Sequence, residues 1–156
     1  MPYKLKSFIG EIISALLIFL FVYAAVSKLT DHSQFIYSLS KSPLIASFTT
    51  SISWIIPGVE LLISMFLFIP AWRQPGLAMS IVLMGIFTLY IGYMLLFARE
   101  LPCSCGGVIQ KLTWREHLLF NILFTVLAYM GFKFSRQSKT FIAINRLEAE
   151  NPEKKK

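Results

Sequence analysis

The sequence predicts an all-α, integral membrane four-helix bundle. Three observations predict it: four apolar stretches of roughly 20 residues each, a 156-residue chain that is 56% hydrophobic and 15% charged, and basic residues scattered through the loops and tail outside those stretches. With a mean hydropathy of +0.65 there is too little polar surface to cover a soluble domain of this size. Residues 1–134 are read as one transmembrane domain and residues 135–156 as a charged tail.

The first span covers about residues 8–26, with Glu11 near its start and Ser27-Lys28-Leu29-Thr30-Asp31 at its end. It is long and lacks a small-x-small cleavage pattern, so it reads as a retained signal anchor. Asp31 is placed to cap a short amphipathic helix in which Phe35, Ile36 and Leu39 recur at helical spacing, an arrangement suited to the membrane interface. Pro43 ends it. The second span covers about 52–69, with Trp54 as an interfacial anchor, Pro57-Gly58 as a bend and Glu60 inside it. A tight turn from Pro70 to Pro75 leads into the third span, about 76–97, with Tyr90 and Tyr93 near its far end. After the loop Pro102-Cys103-Ser104-Cys105-Gly106-Gly107, a fourth span covers about 118–132 and is stopped by Lys133, Arg136 and Lys139. In the tail, an interfacial helix around Phe141 to Leu147 at most is expected, followed by disorder.

The net charge of +7 is spread over loops and tail. It therefore suits anionic lipid headgroups and argues against nucleic acid as a partner. Lys4, Lys6, Arg73, Lys133, Arg136, Lys139, Arg146 and the three terminal lysines fall on one side; Lys28, Lys41, Arg99, Lys111 and Arg115 fall on the other. The positive-inside rule then puts both termini in the cytoplasm. The expected location is a bacterial inner membrane, with the cysteine loop facing a periplasm in which disulfides persist.

Cys103 and Cys105 are the only cysteines. A bond across one intervening residue closes a small, strained ring, and strain raises the reduction potential, which makes the bond a better oxidant of other thiols. Gly106 and Gly107 let the backbone turn tightly and a partner chain come close. The alternatives are ordinary loop thiols, a structural clip, or a metal site that would have to recruit His117 and His32 and matches no common zinc spacing. The redox reading accounts for the pair most economically.

Taken in order, Ser27-Lys28-Leu29, Pro57 with Glu60, Pro102-Cys103-Ser104-Cys105-Gly106, Leu112-Thr113-Trp114 and Asn121 resemble the MauE/DoxX family of redox-associated membrane proteins over about residues 8–134. The resemblance implies a four-helix membrane bundle associated with disulfide formation in a periplasmic partner or with quinone-linked thiol chemistry. Cys103 and Cys105 carry over as the redox pair; Lys28 and Glu60 match characteristic positions without an assigned role.

Glu60 falls near the bilayer midplane, where an ionised carboxylate costs roughly 2.5 kcal/mol or more, so it should face the bundle interior. Two readings stay open: a proton carrier for a two-electron, two-proton exchange between a dithiol and a membrane quinone, or a paired group that fixes helix packing. Lys28 could reach down to Glu60, but a lysine at a span end more often snorkels to the headgroups, and that is the expectation. Glu11 reads as a solvated carboxylate at a helix start. His117 could act as general base toward either cysteine, although an interfacial polar residue is the commoner reading. Asn121 is expected to bond across helices. Arg99, Lys111 and Arg115 either surround the thiols with positive charge or anchor in headgroups. Tyr90, Tyr93, Trp114 and the phenylalanines could line a quinone pocket, a weak signal in so aromatic a chain. The leading functional expectation is a thiol-disulfide redox protein or accessory using Cys103, Cys105, Glu60 and His117. A non-catalytic membrane subunit or assembly factor, with the cysteines as a clip, is its rival, and no repeat or broken-helix pair supports transport.

Overall fold

The computed structural model describes the backbone of residues 3–41, 46–97 and 114–150. Five α-helices make up the described fold: α1 (Tyr3–Thr30), α2 (His32–Ser40), α3 (Thr49–Phe68), α4 (Arg73–Phe97) and α5 (Trp114–Glu150), with a short 3-10 turn, Ala46–Phe48, leading into α3. Four of them contain stretches long and apolar enough to cross a membrane: Leu5–Thr30, Ala46–Phe68, Arg73–Leu96 and Arg115–Arg136. The chain is a multi-pass membrane protein, and its lipid-facing sides are correspondingly apolar: Phe19, Phe68, Leu89 and Leu96 all lie exposed.

Side-chain contacts fix the order of the helices around the bundle. Lys28 near the end of α1 reaches Glu60 in the middle of α3. Arg73 at the start of α4 lies 3.6 Å from Glu11 in the first half of α1. A Cβ at Gly10 would meet Phe134, and one at Gly131 would meet Ile13 and Leu77. These contacts describe an up-down-up-down bundle in which α1 touches α3 and α5, and α4 completes the ring.

The two halves of the bundle are packed differently. Around the α3–α4 turn, Ile13, Leu17, Leu67 and Leu77 are buried beside the small residues Ser80 and Ala128, and small residues let helix backbones approach where lipid offers no hydrophobic drive to associate. The buried hydroxyls there satisfy themselves on their own helices, Ser14 to Gly10 O, Ser64 to Glu60 O and Ser80 to Gly76 O at 2.8, 2.9 and 2.8 Å. Toward the other end, where α1 stops and α5 begins, the helices enclose open space. Gly85 in α4 has open space where a Cβ would be, so Gly85→Ala is expected to stabilise the protein by about 0.5–1 kcal/mol through helix propensity, read as a higher unfolding temperature in detergent.

Three local expectations change. α2 forms, but Asp31 caps it without a side-chain hydrogen bond; the chain turns on backbone bonds instead, Asp31 N–H to Ser27 O and Phe35 N–H to Asp31 O. Phe35 and Leu39 are buried, so α2 packs into the bundle as well as lying at its end. The backbone past Lys133 continues as one helix to Glu150, because Lys, Arg, Gln and Glu favour helix as readily as they favour water; charge ends the span without ending the helix.

Candidate functional site

A cavity of about 370 Å³ opens in the half of the bundle at which α1 ends and α5 begins. Its floor and walls come from Leu20, Phe21 and Ala24 of α1, Ile52, Ile56 and Glu60 of α3, one face of α4 that includes Leu83, Phe87, Tyr90 and Ile91, and His117, Phe120 and Asn121 of α5. Phe35, Ser38 and Leu39 of α2 roof it. Ile52, Ile56 and Glu60 are spaced by four, so they fall on one face of α3, and that spacing aims the carboxylate inward.

The buried polar feature of the cavity is an ion pair. Lys28 Nζ donates to Glu60 Oε1 at 2.6 Å, with Lys28 only 7% and Glu60 1% exposed. Lys28 therefore does not snorkel outward. Glu60 lies eleven residues beyond Thr49, about 16 Å along α3 at 1.5 Å per residue, and a carboxylate at that depth in hydrocarbon has no water to turn to; the lysine stem is long enough to reach it from the end of α1. The Lys28 ammonium also lies 5.9 Å from the ring centroids of both Phe35 and Phe87, within cation–π range, and 3.5 Å from Ala24 O. Glu60 Oε2 is buried and has no hydrogen-bond partner. The second carboxylate oxygen thus stands at the cavity as an unused acceptor.

His117 is half-buried and lines the same cavity as Glu60, so the fold brings these two candidate residues together. Asn121 is buried beside them, but its Nδ2 donates to His117 O at 3.0 Å. It bonds back along its own helix instead of across to a neighbour, since the carbonyl one turn earlier lies within reach. Tyr90 contributes to the wall. His32 is elsewhere, its ring 4.5 Å from that of Trp54. Cys103 and Cys105, with Arg99, Lys111 and the glycines of their loop, lie outside the described residues. Sequence reasoning missed Ser38 as part of a site and offered Phe35 and Phe87 to a pocket only among the phenylalanines at large. The signal available was the buried face of the short helix; nothing local tied it to a residue fifty positions away.

The comparisons with known proteins add one finding. A family model described as methylamine utilisation protein MauE matches residues 6–134, a stretch that takes in nearly all of the four spans together with Cys103 and Cys105. No curated protein and no solved structure matches the chain.

Proposed function

The chain belongs to the MauE family of membrane proteins, and on that premise we propose that it is a thiol-disulfide redox protein acting through Cys103 and Cys105 on a periplasmic partner. A partner dithiol attacks the Cys103–Cys105 disulfide, leaving a partner disulfide and two thiols on this chain. Those thiols are reoxidised by a membrane quinone, which takes two electrons and two protons and leaves as quinol. His117, three residues into α5, would take a thiol proton, and Glu60 would hold a proton on its way to the acceptor.

One observation supports this reading above the others: a membrane-embedded cavity holding an ion pair lies at the end of the bundle to which the cysteine loop is tethered. Tyr90 and Ile91 of its wall precede the end of α4 by two turns or less, and His117 follows the start of α5 by one. With the acceptor held in that cavity, the one cysteine pair of the chain would need no second pair to relay its electrons.

The test is alkylation trapping in cells with both redox states resolved on gels. Both the disulfide and the dithiol forms are expected, and Cys103→Ser or Cys105→Ser should accumulate or lose a mixed disulfide with a partner thiol. Thiols that stay reduced under all conditions, together with full function in the double serine variant, would refute the redox reading and leave the subunit or assembly-factor role.

A further inference from the structure

The cavity described above has a composition that specifies its occupant more closely than an apolar void would. An engineered cavity of roughly 150 Å³ is enough for benzene, so about 370 Å³ accommodates a substituted ring with the start of a tail. Its walls are apolar and aromatic, supplied by Phe21, Phe87, Tyr90 and Phe120. Ile86, one of the lining residues, is 55% exposed on the membrane-spanning stretch of α4. The opening therefore faces acyl chains, and what enters comes from the bilayer.

The polar atoms narrow the class. Lys28 and Glu60 form a pair of opposite charges, so a charged ligand would leave a net charge buried in hydrocarbon, and a neutral one would not. Glu60 Oε2 accepts no hydrogen bond and calls for a donor such as a hydroxyl. The Lys28 ammonium has three donors, of which one goes to Glu60 and one is directed at Ala24 O; the third is available for a carbonyl oxygen. Acceptor and donor side by side, between aromatic faces, fit a flat head that carries oxygen as carbonyl or hydroxyl according to its redox state.

We propose that this cavity seats a neutral, lipid-borne quinone head, with Lys28 donating to a ring oxygen and Glu60 Oε2 accepting from a hydroxyl of the reduced form. The proposal rests on the thiol-disulfide reading for its choice of redox carrier, but the binding it describes does not need the cysteines. Because Glu60 meets only the hydroxyl, the site favours quinol over an analogue without that hydrogen. Binding is therefore selective for the protonated head, and not merely for an apolar tail.

The full chain in detergent is titrated with a decyl-tailed benzoquinone, its quinol and the quinol dimethyl ether, and bound ligand is counted by native mass spectrometry. One quinol per chain is expected, held about tenfold more tightly than the dimethyl ether. Glu60→Gln should reduce the preference for quinol over the dimethyl ether about tenfold. Ala24→Phe fills the cavity while leaving both charged side chains in the protein and should abolish binding with the helical circular dichroism intact. Equal binding of quinol and dimethyl ether, or occupancy that survives Ala24→Phe, would overturn the proposal. The two readings are separated by pairing this titration with alkylation trapping on the same native chain: quinol binding in a protein whose thiols never cycle keeps the cavity and discards the redox role, whereas thiol cycling without quinol binding does the reverse, and the Cys103→Ser/Cys105→Ser protein should bind quinol as the native chain does.

Discussion

Lys28→Met is expected to destabilise the protein by about 3–5 kcal/mol, the cost of removing one partner from a buried ion pair. Methionine keeps an unbranched stem of similar length and removes the ammonium, with its ion pair to Glu60 and its cation–π contacts to Phe35 and Phe87. Glu60 is left 1% exposed with its Oε1 partner gone and its Oε2 already unpartnered. A carboxylate in that position has nothing to accept from. Removing both charges should undo the damage: Lys28→Met with Glu60→Leu replaces the pair by apolar groups of similar volume, which is commonly neutral or stabilising, and most of the lost stability should return. Thermal unfolding in detergent micelles, run as a double-mutant cycle, reads both numbers. A single variant that loses less than about 1 kcal/mol would mean that Lys28 spends its time at the headgroups after all.

That residue also marks the boundary of what the sequence conveys. The four spans were legible because each is a long apolar run closed by polar or basic residues, and the bilayer imposes a length on such runs. Glu60 was legible as an inward-facing group because hydrocarbon penalises any other direction. The direction of Lys28 was not, since snorkelling and pairing start from the same position at the end of a span, and the choice depends on a carboxylate 32 residues away. The cavity was illegible for the same reason. Phe35 and Leu39 showed an apolar face, which suits a membrane surface as well as it suits a gap between helices; only the packing of α2 over α3 decides between them. Asn121 illustrates the reverse error, because a polar residue inside a span suggests a neighbour helix, while its own preceding turn offered the His117 carbonyl.

Gly76→Val is expected to cost about 3 kcal/mol, at the upper end of the range for overpacking, and to disturb the cavity although it lies at the opposite end of the bundle. A Cβ at Gly76 would sit 3.0 Å from Leu67 N and 3.1 Å from Phe66 C. These are backbone atoms of α3, which no rotamer change can move aside. The turn gives no slack either, being fixed by Trp72 N–H to Ile69 O at 2.9 Å and Gly76 N–H to Trp72 O at 3.0 Å, with the Trp72 ring packed edge-on against Phe66. α4 must therefore move away from α3 where the two helices meet. In a bilayer, that separation is not opposed by a hydrophobic drive to re-associate, because lipid replaces the lost contacts. The displaced α4 carries Leu83, Phe87 and Tyr90, the cavity wall that faces Ile52 and Ile56. Unfolding temperature and quinol occupancy should consequently fall together in Gly76→Val, whereas Gly85→Ala, with open space at its Cβ, raises the first and spares the second. A Gly76→Val protein as stable as the native chain, with unchanged ligand occupancy, would show that α3 and α4 do not pivot on this contact.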